Sequence, residues 1–297
     1  MKDYLPTGVI TAIVTPFKSD FSIDFDTFEK LIEFQIKNKV DGIVVTGSTG
    51  EGATLSMKEK IALYVRAVEI ANKRIPIIAG TGSNDTKATI ELSMLAKDTG
   101  VDALLLVAPY YNKPTQVALF NHFMAINEMV DIPQIIYNVP GRTGVNIAAN
   151  TQVLIAQKCK NVVATKEASG DLNQVMNIIN NAPKSFIVIS GDDALTLPMI
   201  SLGAKGVISV FSNFAPKQLK TIVDYALNND YEKARQAHYK YLKMMDLCFI
   251  ESNPSPVKSI MKQMGMLEEY LRLPLIPVSP ENAEILNTEL KRLKFIK

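Results

Sequence analysis

One lysine in this chain sits where a charge is expensive to keep. Residues 162–170, VVATKEASG, open as a buried strand does, with Val162, Val163 and Ala164, and then place Thr165, Lys166 and Glu167 at the far end. Burying an ammonium costs several kcal/mol of desolvation unless the group is paired or neutralised. Adjacent strand residues face opposite ways, so Glu167 cannot meet Lys166 directly. Ringed by neutral hydroxyls, an amine has its pKa lowered, because desolvation disfavours the charged form. A neutral amine attacks ketones to give an imine, whose protonated nitrogen acts as an electron sink. Two readings of Lys166 are open here: a structural salt bridge at a strand end, and a catalytic amine.

Other groups able to take part in such chemistry recur along the chain. GSTGEG (47–52) lacks the Gly-Lys-Ser/Thr ending of a phosphate loop, which argues against a nucleotide. It reads as a plain turn, or as a carboxylate cradle of backbone N–H groups and the Ser48 and Thr49 hydroxyls. Tyr110 and Tyr111 in PYYNKP read as site hydroxyls or as packing at a subunit contact, and Tyr137 in YNVPGRTG as a site or a core tyrosine. Asp192 and Asp193 in SGDD suggest a metal but are better suited to capping the next helix. His122 and His238 fall in helix-pattern segments away from any strand end. No metal site is expected.

The elements that must position these residues form a repeating unit, a β-branched run followed by a helix-period segment. The runs are 8–16, 41–47, 75–82, 102–109, 132–140, 162–169, 186–193 and 206–213. None alternates apolar with polar, as expected of parallel strands covered on both faces. Between them, Ile61, Tyr64, Val65 and Val68 keep helical spacing behind a capping box at 56–59. Ala88, Leu92, Leu95 and Ala96 repeat it, with Gly100 placed to stop that helix. Eight such units with right-handed crossovers close a (β/α)8 TIM barrel. A doubly wound sheet would carry a glycine-rich fingerprint in its first turn, where this chain runs TPFKSDFSID. The expected organisation is a catalytic barrel over 1–225 and a C-terminal helical appendage over 226–297. Active sites of such barrels lie at the C-terminal ends of the strands. Thr15, Ser48, Thr49, Tyr110, Tyr111, Tyr137, Arg142, Lys166 and Gly191 all fall on that one rim.

Bulk properties exclude other classes. The chain has 297 residues, 47% hydrophobic and 21% charged, with a formal charge of only +2. No basic block marks a nucleic-acid or anionic-membrane surface. Cys159 and Cys248 form no disulfide framework, and the apolar N-terminal run is broken by Pro6, Gly8 and Pro16. The expectation is a soluble, cytoplasmic protein.

Taken together, GSTGEGATL, YYNKP, YNVPGRTG, KEASGDL and SGDD resemble, in order and placement over nearly the whole chain, the pyruvate-dependent class I aldolases and lyases, the family that includes N-acetylneuraminate lyase. Within it the resemblance is to members that condense pyruvate with aspartate semialdehyde in the lysine and diaminopimelate pathway. That resemblance implies Lys166 as the Schiff-base lysine and Tyr137 as the proton carrier, with Thr49 and Tyr111 completing a hydroxyl relay and Tyr111 supplied by a neighbouring subunit. It implies Ser48 and Thr49 on the pyruvate carboxylate and Arg142 on that of the semialdehyde, with Gly191 and the Ile208 carbonyl lining the pocket. Arg142 separates these members from the neuraminate lyases, whose matching segment lacks GRTG. No cofactor is implied, and the assembly implied is a homotetramer, a dimer of dimers. The rivals are a pyruvate lyase acting on another aldehyde and a silent relative that binds a keto acid or amino acid as a sensor. Some relatives are inhibited by lysine held by histidines and a glutamate. Met57, Lys60 and Ala88 stand at those places here, so weak or absent feedback is expected.

Overall fold

The computed structural model describes residues 4–297. Its eight strands are β1 (Gly8–Ala12), β2 (Gly42–Val45), β3 (Ile77–Gly80), β4 (Ala103–Val107), β5 (Gln134–Asn138), β6 (Val162–Glu167), β7 (Ile187–Ser190) and β8 (Gly206–Ser209). Each pairs in parallel with the next, and β8 pairs with β1, so the sheet closes into the expected barrel. The first helices are α1 (Phe25–Lys37), α2 (Met57–Ala71), α3 (Thr86–Asp98), α4 (Gln116–Met129), the single turn α5 (Pro140–Thr143) and α6 (Ala149–Lys158). They are followed by α7 (Leu172–Asn181), α8 (Thr196–Leu202), α9 (Pro216–Leu227), α10 (Tyr231–Leu247), α11 (Ser255–Gln263) and α12 (Pro280–Arg292).

The unbroken apolar runs are divided by the period of two between two separate cores. Ile10, Ala12, Val44, Ile78, Leu105, Ile135, Ala164, Ile189 and Ile208 fill the barrel interior. Val9, Ile43, Val45, Leu104, Leu106 and Ile136 pack outward against the helices. Alternation is thus present, but it sorts residues between two apolar layers rather than between core and water. The strands are shorter than the sequence runs, because each run includes loop residues that leave the ladder at the barrel mouth.

Helix signals held in kind and shifted in phase. Ser56 and Glu59 form the capping box of α2. The buried stripe of that helix is Leu63, Tyr64, Ala67, Ile70 and Ala71, so of the four residues expected there only Tyr64 is buried, and Val65 is exposed. Likewise Leu92 and Ala96 are buried on α3 while Leu95 is exposed. Both helices lie one position round from the expected angle, because the surface covered also includes alanines and a serine that hydropathy alone does not mark.

C-terminal to the barrel, α10 packs on α9, and α11 pairs with α12. One buried ion pair ties this region to the loop after β2: Lys258 Nζ lies 2.5 Å from Glu51 Oε1, both side chains wholly inaccessible. The Tyr270 carbonyl also accepts from Lys258 Nζ, and the Arg272 backbone N–H donates to Glu51 Oε2. Glu51 holds a left-handed φ of +52°, a conformation an L-residue keeps only when its surroundings over-determine it.

Candidate active site

Lys166 follows Ala164 on the inward-facing side of β6, which aims its amine up the barrel axis. Thr165 and Glu167 therefore face the helices. Glu167 accepts there from Asn138, Gln152 and Gln174 side chains and from the Ser169 backbone N–H, so it has no contact with Lys166. The structural salt bridge is absent: Lys166 is 6% exposed and none of the ion pairs among the described residues includes it. Burial pushes its pKa down to about 7, opposed by the Asp193 carboxylate and assisted by Arg142. An appreciable share of the amine is then neutral near pH 7, where an ordinary lysine is almost wholly charged.

Tyr137 is the β-ladder neighbour of Lys166, and the lysine Nζ sits 4.2 Å from its ring centroid. Burial pushes the Tyr137 phenol up to about 12 against the pull of Arg142, so it stays protonated and able to donate. Gly191 stands on the other flank. A Cβ there would come within 2.6 Å of Ala168 Cβ and 3.0 Å of Lys166 Cε, so only glycine leaves the lysine room to swing.

The loop after β2 supplies the hydroxyls. Its turn uses the N–H groups of Gly50, Glu51 and Gly52, while Thr15 Oγ1 donates to the Gly50 carbonyl from the end of β1. The N–H groups of Ser48 and Thr49 have no backbone acceptor among the described residues, as a carboxylate cradle needs. Thr49 is buried and Ser48 exposed.

Lys166, Tyr137, Ser48, Thr49, Arg142 and Gly191 line one narrow recess of about 30 Å³. It shares Ser48, Tyr137, Arg142 and Asn253 with a wider cavity of about 380 Å³ that also reaches Lys60 and Tyr110. Ile208 lies below the recess, in the inner core. Tyr111 does not join these residues within one chain: it is 89% exposed, at a left-handed φ of +73°. For a bulky residue that backbone is strained, and strain of this kind gathers at functional sites.

The paired aspartates divide their work. Asp192 accepts from the Ala194 and Leu195 N–H groups in the turn before α8, which falls short of the capping role expected, since the N-cap of α8 is Leu195 and no side chain caps that helix. Asp193 departs from that role: its Oδ2 accepts from the Val210 and Phe211 N–H groups and joins the β7 and β8 loops. His122 is buried on α4, hydrogen-bonded to Thr86 and held down to about 4 by burial. Asn253, between α10 and α11, is the site residue that sequence reasoning missed. Its Nδ2 donates to Thr49 Oγ1 at 2.9 Å, and an Asn-Pro pair in a helical stretch carries no signal beyond a turn.

Comparison with known proteins matches residues 5–293 to the dihydrodipicolinate synthetase family. The 4-hydroxy-tetrahydrodipicolinate synthase of Hydrogenobaculum sp. is 49% identical over 290 residues, covering 98% of this chain and 99% of its own. The crystal structure of dihydrodipicolinate synthase from Aquifex aeolicus superposes with a TM-score of 0.96 at 44% identity, covering 98% and 99% of the two chains. A dihydrodipicolinate synthase variant described as monomeric superposes with a TM-score of 0.96 at 41% identity, covering 98% and 97%.

Proposed function

The chain belongs to the dihydrodipicolinate synthetase family, and from that premise we propose how its barrel mouth works. It condenses pyruvate with L-aspartate 4-semialdehyde to 4-hydroxy-tetrahydrodipicolinate, a step of lysine and diaminopimelate biosynthesis. The Lys166 amine adds to the keto carbon of pyruvate, and water leaves as the imine forms. The protonated imine draws electrons from the methyl carbon, which loses a proton to give an enamine. That carbon attacks the aldehyde, whose oxygen takes a proton and becomes the 4-hydroxyl. The amino group of the second substrate then attacks the imine carbon, displacing Lys166 and closing the ring of the product.

Tyr137 carries the protons of these steps, with Thr49 and a neighbouring subunit's Tyr111 completing the relay. Neutral hydroxyls suit this task because they add no second charge beside the imine. Ser48 and Thr49 hold the pyruvate carboxylate, Gly191 and the Ile208 carbonyl line the pocket, and Arg142 takes the semialdehyde carboxylate as a bidentate fork. The exposure of Tyr111 supports a partner's site as its place, and with it the homotetramer built as a dimer of dimers. The cytoplasm is the proposed location, supported by two buried free cysteines.

One observation carries the mechanism: a buried, unpaired lysine with a lowered pKa at the end of β6. Borohydride reduction in the presence of pyruvate is expected to add a reduced pyruvyl group to the peptide holding Lys166. Labelling at another residue, or none, would sink the mechanism.

A further inference from the structure

We infer that Asn253 is a positioning residue of this site, acting through the Thr49 hydroxyl and not on a substrate. The inference rests on the relay reading of Thr49. Asn253 is 4% exposed, comes from the C-terminal helical region, and lines both the recess around Lys166 and the wider cavity. Its Nδ2 donates to Thr49 Oγ1 at 2.9 Å. A threonine hydroxyl has one hydrogen to give and two lone pairs to accept with. With one lone pair taken by the amide, its hydrogen is left to point into the recess and its second lone pair to accept from a phenol there. A hydroxyl that must pass a proton between neighbours needs that division.

The amide has a second feature of a site residue. Asn253 Oδ1 is buried with no hydrogen-bond partner, in a fold where such atoms are few. Reversing the amide would bury two unpartnered N–H groups in place of one such N–H and one oxygen. It would also draw the Thr49 hydrogen out of the recess. Both ends of the contact are held firm. Two residues from Thr49, Glu51 is clamped by Lys258, and Lys258 lies on the helix that begins just after Asn253. The backbone carbonyl of Asn253 also lies 3.5 Å from Arg142 Nη2, the outer limit of a hydrogen bond.

A double-mutant cycle on the full-length enzyme tests the inference, with kcat, both KM values and thermal midpoints measured for Thr49→Val, Asn253→Ala and the pair. Asn253→Ala is expected to lower kcat about tenfold, a fraction of what proton transfer contributes, and to leave the KM for aspartate semialdehyde within about twofold. The pair should lose no more than Thr49→Val alone. Multiplying losses, or an Asn253→Ala enzyme within twofold of wild type beside an impaired Thr49→Val, would overturn the inference and spare the relay. An unimpaired Thr49→Val would overturn the relay and the inference together. If Asn253→Ala fails to fold, Asn253→Asp takes its place. Its carboxylate only accepts, so it turns the Thr49 hydrogen away from the recess and kcat falls, whereas wild-type kcat in that variant refutes the polarity argument.

Discussion

A single amine with its pKa pushed down to about 7 sets the pH behaviour of the first step. The neutral fraction of Lys166 grows as pH rises through that value. The rate of imine trapping at low pyruvate should therefore climb about tenfold per pH unit below pH 7 and level off above it. A rate still climbing beyond pH 9 would mean an ordinary lysine. Arg142 is expected to act on the other substrate. Loss of a charge-assisted carboxylate contact is worth about 1.5–3 kcal/mol, which corresponds to about tenfold to a hundredfold in affinity. Arg142 is exposed at the cavity edge, so Arg142→Ala should raise the KM for aspartate semialdehyde near the lower end of that range. Borohydride trapping with pyruvate should survive, and its equal loss would show that Arg142 holds the whole recess together.

Between elements, the buried Lys258–Glu51 pair joins α11 to the loop after β2. Burial brings Lys258 down to about 8 against the pull of Glu51. Removing one partner strands a buried charge, which costs about 3–5 kcal/mol, whereas removing both is often nearly neutral. Lys258→Met should accordingly lower the thermal midpoint strongly at pH 7, and Lys258→Met with Glu51→Gln should recover most of it. The recovered protein should still show a raised pyruvate KM, because Ser48 and Thr49 sit on the loop the pair clamps. A recovered stability with an unchanged pyruvate KM would make the pair a fold anchor only. Asp193 does similar work elsewhere on the same rim, joining the β7 and β8 loops through two N–H groups.

At the scale of the whole molecule, the proposed relay calls for a second chain. Tyr111 is 89% exposed on its own chain and lines neither cavity at the barrel mouth. Sedimentation at assay concentrations is expected to find an active oligomer, and a fully active monomer would refute the shared relay. One similar dihydrodipicolinate synthase is described as a monomeric variant. Feedback is expected to be weak. Lys60 lines the wider cavity with a pKa lowered by burial, and an ammonium there repels a cationic effector. L-lysine at low millimolar concentration should leave the activity essentially unchanged. A titration with strong inhibition would show that other side chains supply the missing negative charge.

Strand order, barrel closure and the rim where the candidate residues gather were legible in the sequence, because each βα unit announces itself locally and the C-terminal end of a strand is a position in the chain. That Lys166 and Glu167 diverge also follows from the two-residue period alone. Tertiary structure decided what depends on distance across the chain. Thr49 and Asn253 are neighbours only because the C-terminal helices fold back over the barrel mouth. Glu51 looked like a turn residue until Lys258, on that same segment, was found to hold it. The phases of α2 and α3 depended on which small residues the barrel covers, a property of packing rather than of hydropathy. Lys166 lacks a partner for the same kind of reason. A sequence shows where a charge lies along a strand, but only the closed barrel shows that no carboxylate comes within salt-bridge distance of it.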